Sequence, residues 1–297
     1  MTADDAAIGA ARTRAKEVLA RLTTLCAAGG HDIDVVEAAL TLSLLRRPAL
    51  DLDPYRAHVA ALAAEIGALV KRRHPPLDAL REVLAKGYGY RGDRETYDDP
   101  QNADLASVID RRRGLPVALG LVWMGAARAQ GWGCVGLGFP GHFLIRLEAG
   151  GAHAILDPFG EGAALEARDL RALLRSSAGA GAEIAPAHVA AVPDADVLLR
   201  LENNIKTRQL RAGDDAGAGA TIERMTAIAP GRAELWFEAA TIHAGAGAVG
   251  GAVKAFDRFL ALDAAQPPSP DPEITAVRAR ARDRAASLLR ELRRRLN

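Results

Sequence analysis

The sequence predicts an α+β core, with N-terminal helices and a buried helix packed on a small antiparallel sheet, followed by α-helical repeats. Three observations predict it. The run from Leu115 to Ala127 holds no charged side chain, so a helix there has no face suited to water and must be enclosed. His142 to Glu148 and Ala152 to Asp157 alternate about Ala149-Gly150-Gly151, as the two strands of a hairpin do. In the last third, Ala218, Ile222 and Pro230 recur as Ala252, Phe256 and Ala264, each 34 positions on. That period belongs to stacked helix pairs in which each pair buries its face on the next.

The composition fits this reading and excludes several others. A chain of 297 residues suits one large domain or two ordinary ones. Aromatic residues are only 4%, so the core must be built from Ala, Leu and Val. The net charge of +1, from 38 basic and 37 acidic residues, gives no global attraction to nucleic acid or to an anionic membrane. Cys26 and Cys134 are too few for a disulfide framework. The first residues mix Asp4, Asp5 and Arg12 with small side chains and lack the basic and apolar regions of a signal peptide. The longest apolar run is shorter than the roughly 20 residues that cross a bilayer. Together these predict a cytoplasmic protein.

The elements follow in order. A helix is expected from Arg12 to Ala27, ended by Gly29-Gly30. A second runs from Ile33 to Leu45, with Val36, Ala39, Leu40 and Leu44 on one face, and Pro48 stops it. Asp53-Pro54 gives a cap and first turn for a third, which runs to Val70. Leu77 to Ala85 makes a short helix after Pro75-Pro76, and Gly87 to Asn102 reads as an ordered loop. Pro116 opens the buried helix, within which Gly120 and Gly125 let other elements approach, and Gly131 ends it. Cys134 to Leu137 is a strand candidate leading into the hairpin. Ser176 to Pro193, rich in Ala, Gly, Ser and Pro, reads as a linker. Beyond it, Trp236, Ala239 and Ala240 fall at tetratricopeptide positions in the first helix of a second unit. A capping helix from Asp271-Pro272 to Leu296 turns Val277, Ala281, Leu288, Leu292 and Leu296 inward.

Register locates the candidate chemistry. A turn at Ala149-Gly150 sets His142 opposite Asp157, and a turn at Gly150-Gly151 sets it opposite Phe159 with Asp157 on the diagonal. Either way an imidazole stands beside a carboxylate, at roughly 5 to 8 Å between cross-strand neighbours. Cysteine acyl transfer needs this pair and a thiolate at a helix N-terminus, where the helix dipole stabilises the negative sulfur. The residues there, Leu115 to Leu121, include no nucleophile. Cys134, on the strand leading to His142, is the remaining candidate thiol, without the help of a helix dipole. No His-Glu-x-x-His, Cys-x-x-Cys or Gly-x-Ser-x-Gly occurs, and the glycines at Gly136-Leu137-Gly138 open no helix. No metal or cofactor is therefore expected. Arg111, Arg112 and Arg113 read either as a solvated turn or as an anion anchor at the mouth of a cleft. Eight arginines make the last helix basic, from Arg278 to Arg295, but no aromatic residues interleave with them as they do where nucleic acid or membrane is bound. Asn203 and Asn204 either satisfy buried backbone or line the groove of the first repeat.

Four segments together resemble a known family: Tyr97-Asp98-Asp99-Pro100-Gln101-Asn102, Val108 to Val117 with Arg112-Arg113-Gly114-Leu115-Pro116, Gly136 to Phe143 with Pro140-Gly141-His142-Phe143, and Leu156-Asp157-Pro158-Phe159. They are similar to the SirB-type branch of the transglutaminase-like superfamily over roughly Asp32 to Asp263. That resemblance implies N-terminal helices, a papain-like core with a Cys-His-Asp triad, and a tetratricopeptide-like tail. His142 matches the His and Asp157 the Asp, while the Cys falls at or beside Pro116. It implies the fold more than the chemistry.

The resulting expectation is a transglutaminase-like domain over residues 1–176, a linker over 177–195, and a helical repeat domain over 196–297. The expected function is a non-catalytic scaffold that binds a protein or peptide partner, with Arg113, Pro116, Gly141, Phe143 and Asn204 as binding residues. The alternative is an acyl-transfer enzyme using His142 and Asp157, with Cys134 or an activated water as nucleophile. No nucleic-acid or membrane partner is expected.

Overall fold

The structure is a computed structural model that describes residues 3–296. It divides into two compact units between Leu201 and Glu202.

The first unit opens with α1 (Ala3–Cys26), α2 (Val35–Arg46) and α3 (Asp53–Lys71). Helix α1 starts earlier than its expected start at Arg12, because the preceding alanines favour helix. Asp34 caps α2 by accepting from the Glu37 amide. Asp53 does not cap α3. It lies inside the first turn and pairs with Arg56 at 2.7 Å. Next comes α4 (Pro76–Arg81), continued by a π-helical turn over Glu82–Gly87. The expected loop contains β1 (Arg91–Gly92) and a 3-10 turn over Pro100–Ala103, and it leads to α5 (Leu105–Arg111). Strand β2 (Arg113–Gly114) lies parallel to β1, with Arg91 beside Arg113. Helix α5, at seven residues, is too short to display a helical period in the sequence.

Helix α6 (Pro116–Arg128) is buried along nearly its whole length. Its glycines serve as contact points. A Cβ on Gly120 would sit 2.3 Å from the Phe143 ring, and one on Gly125 would sit 2.4 Å from Val36. The sheet against it is antiparallel in the order β3 (Gly133–Gly136), β4 (Ile145–Ala149), β5 (Ala152–Asp157) and β6 (Ala163–Leu165). Ala149 pairs with Ala152, so the hairpin turns at Gly150-Gly151, the second of the two expected registers. Strand β6 and the amphipathic α7 (Ala167–Ala178) lie beyond the elements that the sequence predicts. Leu170 and Leu174 of α7 join Leu137, Phe139 and Leu144 in a core with Val135 and Ile155, the alternate residues of β3 and β5. The sheet thus lies between two helices, with Phe143 turned to α6 and Leu144 to α7.

The segment between α7 and α8 (Asp194–Arg211) is tied to this sheet. The Gly138 amide donates to Ala190, the Val192 amide donates to Gly136, and Leu137 pairs with Ala191. At the start of α8, Asp194 takes two 2.8 Å hydrogen bonds from Arg128, whose Nε also donates to the Cys134 carbonyl. One guanidinium therefore joins the end of α6, strand β3 and the start of α8.

The second unit holds the rest of α8 with α9 (Asp215–Ile228), α10 (Ala233–Gly245), α11 (Val249–Ala265) and α12 (Pro272–Leu296). Phe237 meets Phe256 and Phe259 edge to face between α10 and α11. The capping helix differs from expectation at its start. Val277 is 52% exposed, and the buried face is Ala285, Leu289 and Leu292. The first turns are held instead by Arg278 and Arg282, which bond the two oxygens of Asp263 at 3.0 and 2.7 Å. The side chain of Leu296 lies outside the described residues.

Within this unit, Arg224 Nε donates to buried Glu202 at 2.5 Å, and Arg224 and Gln209 meet at the Thr221 hydroxyl. Removing one partner strands a buried charge, which costs about 3–5 kcal/mol. Glu202→Ala should therefore melt well below the parent in thermal unfolding followed by circular dichroism. An unchanged melting temperature would mean that Arg224 is solvated in the folded state.

Candidate functional site

His142 lies in the bend before β4, and Asp157 is the last residue of β5. Their side chains meet, His142 Nε2 to Asp157 Oδ1, at 2.8 Å. Asp157 is itself held in place, because Oδ1 also accepts the Phe159 amide at 3.0 Å. A carboxylate can only accept, so the neutral imidazole carries its proton on Nε2 and leaves Nδ1 as the acceptor. Both side chains keep some solvent access, at 19% and 14% exposure. The expected pair of imidazole and carboxylate is therefore assembled here.

The backbone around His142 is fixed from three sides. Gly141 has φ +70°, and a Cβ there would meet Ser177 at 2.4 Å. The Ser177 hydroxyl donates to the Pro140 carbonyl at 3.2 Å. Arg200, from α8, donates to the carbonyls of Phe139 at 3.1 Å and His142 at 2.6 Å, and its guanidinium stacks on the Phe143 ring. Burial pushes the Arg200 pKa down from its ordinary value, and the nearby Tyr97 opposes this. Phe159 meets His142 and Tyr97 edge-on, each with ring centroids 6.0 Å apart. Tyr97 and Phe159 stand in two of the segments that carry the family resemblance, whereas no local sequence pattern marks Arg200, which reaches His142 across 58 positions of chain.

The N-terminus of α6 is held by a second polar cluster. Buried Asp93 accepts from the Glu95 and Thr96 amides, the Thr96 hydroxyl and Arg111. Arg111 also donates to Asn102 Oδ1, whose backbone carbonyl takes the Leu115 amide. The Asp93 amide donates to Gly114. This cluster fixes the turn where a nucleophile would stand. Leu115, Pro116 and Val117 are all buried there, and none carries a hydroxyl or thiol. The hydrogen bond from the Thr96 amide, with further bonds at the same carboxylate, pulls the Asp93 pKa below the carboxylate range.

Both thiols are buried. Cys134 is 2% exposed and its pKa is pushed up to about 12 by burial. It pairs with Leu147, and by alternation it shares a sheet face with Leu156, so Asp157 follows onto the other. Cys26 is buried in α1 and raised to about 11, again by burial. Among the candidate binding residues, Phe143 and Pro116 are buried, and Arg113 is paired with Glu95 at 2.9 Å. Asn204 belongs to the second unit, where its carbonyl accepts from Arg208. Among the described residues no group of three His, Cys, Asp or Glu could hold a metal ion, and no helix is long and apolar enough to cross a membrane.

Comparison with known proteins agrees with this architecture. Residues 53–203 match the transglutaminase-like superfamily, and residues 205–292 match the tetratricopeptide repeat. A UPF0162 protein of Vibrio cholerae is 30% identical over 194 residues, which cover 64% of this chain and 72% of that one. A UPF0162 protein of Xylella fastidiosa is 27% identical over 237 residues, covering 77% and 84% respectively. F-box only protein 21 of Mus musculus is 29% identical over 147 residues, covering 47% of this chain and 22% of its own. No solved structure matches the chain.

Because the folded-state pKa of Asp93 is depressed, its contribution is present above the unfolded value near 4 and is lost as pH falls. Asp93→Asn should flatten the decline in stability below about pH 4 relative to the parent, measured by urea unfolding at several pH values. An equally steep decline would place the acid sensitivity elsewhere. Gly141→Val should destabilise the fold by about 2 kcal/mol or more, because a β-branched residue is strained at positive φ and meets Ser177. A midpoint within experimental scatter of the parent would show that this bend relaxes freely.

Proposed function

The chain belongs to the transglutaminase-like superfamily, in the SirB-type branch that carries tetratricopeptide repeats, and we propose that it acts as a non-catalytic binding scaffold. In this reading the transglutaminase-like unit and the helical repeats each offer surface to a protein or peptide partner. One observation carries the proposal. The His142–Asp157 pair is assembled at 2.8 Å, yet the helix end that would present the nucleophile offers only Leu115, Pro116 and Val117. An imidazole that can take a proton has no thiol or hydroxyl there to take it from. The two thiols of the chain are buried and hard to ionise. The tetratricopeptide match adds support, since stacked helix pairs build extended surfaces that bind other chains.

A second reading rests on the same hydrogen bond. His142, oriented by Asp157 and partly open to solvent, has a free Nδ1 with which to activate a water molecule, making a thiol-free hydrolase.

Turnover separates the two readings. Peptide amides and esters are incubated with the parent and with His142→Ala, and released amine or acid is measured. The scaffold reading expects both proteins to match the buffer blank. General-base catalysis typically contributes 10²–10⁴-fold, so hydrolysis that falls by that factor in His142→Ala would overturn it in favour of the hydrolase.

A further inference from the structure

A cavity of about 490 Å³ opens on the first unit between the end of α4, the β1–β2 ladder and the turn after β5. Its lining is unusual in charge. Four guanidiniums, from Arg81, Arg91, Arg94 and Arg113, face only two carboxylates, from Glu95 and Glu161. Four positive against two negative leaves two positive charges in one concave site.

The backbone imposes this grouping. Arg91 and Arg113 are direct partners in the parallel β1–β2 ladder, so their side chains leave the same face. Like charges set opposite one another in a ladder repel. Only Arg113 is compensated from within, by Glu95 at 2.9 Å. Arg94 is held over the Phe159 ring, 5.4 Å from its centroid, a contact that fixes the guanidinium without neutralising it. Phe159 is in turn fixed by Gly92, whose amide donates to its carbonyl at 3.0 Å. The Arg81 Nε is buried and has no hydrogen-bond partner. Among the described residues, Arg81, Arg91 and Arg94 form no ion pair. A buried N–H left without an acceptor is costly, and the Arg81 side chain nonetheless lines the cavity.

We propose that this cavity binds a phosphoryl dianion. The planar forks of arginine match the oxygens of a phosphate group, and a phosphate monoester carries close to the two negative charges that the lining leaves unbalanced. The site is distinct from the His142–Asp157 pair, although Phe159 borders both, and the inference does not depend on whether that pair turns over substrate.

Calorimetric titration of the full chain tests this, with inorganic phosphate, pyrophosphate and phosphoserine as probes at fixed ionic strength. At least one probe should bind. Its dissociation constant should rise tenfold or more in Arg94→Gln and in Arg81→Ala, and stay unchanged in Arg171→Ala, which removes an exposed arginine of α7. Arg91→Gln, at an exposed position, serves the same purpose if Arg81→Ala does not fold. Tighter binding of phosphoserine would identify an ester as the source of the group, and tighter binding of phosphate or pyrophosphate a free anion. The proposal is overturned if no probe binds at millimolar concentration, if Arg94→Gln and Arg91→Gln bind as the parent does, or if succinate binds equally well.

Discussion

A helix without a polar face has to be enclosed, and the enclosure of α6 organises the first unit. Val36 of α2 fits against Gly125, and Gln130, just past the end of α6, donates to Ala63 of α3. From the sheet side, Phe143 lies on Gly120, and Trp123 fills the space beside Gly162. Each large apolar side chain so buried contributes about 1.5–3 kcal/mol. The glycines are needed because anything larger would push these partners away.

The candidate site follows from that packing. Phe143 must face α6, so its neighbour His142 is turned the other way, at the end of the strand pair that finishes in Asp157. Arg200 then stacks on the same Phe143 ring and holds the His142 carbonyl. Orientation of the imidazole is therefore a by-product of core packing plus one carboxylate. The same loops that fix the α6 N-terminus, through Asp93, Arg111 and Asn102, also carry Arg91, Arg94 and Arg113 into one cavity.

Much of this was legible in the sequence. The buried helix could be read from its lack of charge, the hairpin from its alternation, and the His142–Asp157 contact from the register that both possible turns allowed. The repeat helices could be read from their 34-residue period. What was not legible depends on distant partners or on very short elements. Helix α5 and strand β6 span too few residues to show a period. The end of helix α7 overlaps the Ala-, Gly- and Ser-rich stretch that reads as a linker. Arg200 and Asp93 act through contacts that no local pattern encodes. Val277 followed the apolar stripe of α12, yet is exposed because Arg278 and Arg282 hold that end through Asp263.

The central claim is that the His–Asp pair has no thiol to serve. The measurement that tests it most directly is the alkylation rate of Cys134 against pH in the folded protein, with His142→Ala alongside. A slow reaction that gains speed only at strongly alkaline pH, equal in the two proteins, agrees with a buried thiol whose pKa is pushed up to about 12. A fast reaction near neutral pH that slows in His142→Ala would contradict the account and reveal a coupled nucleophile.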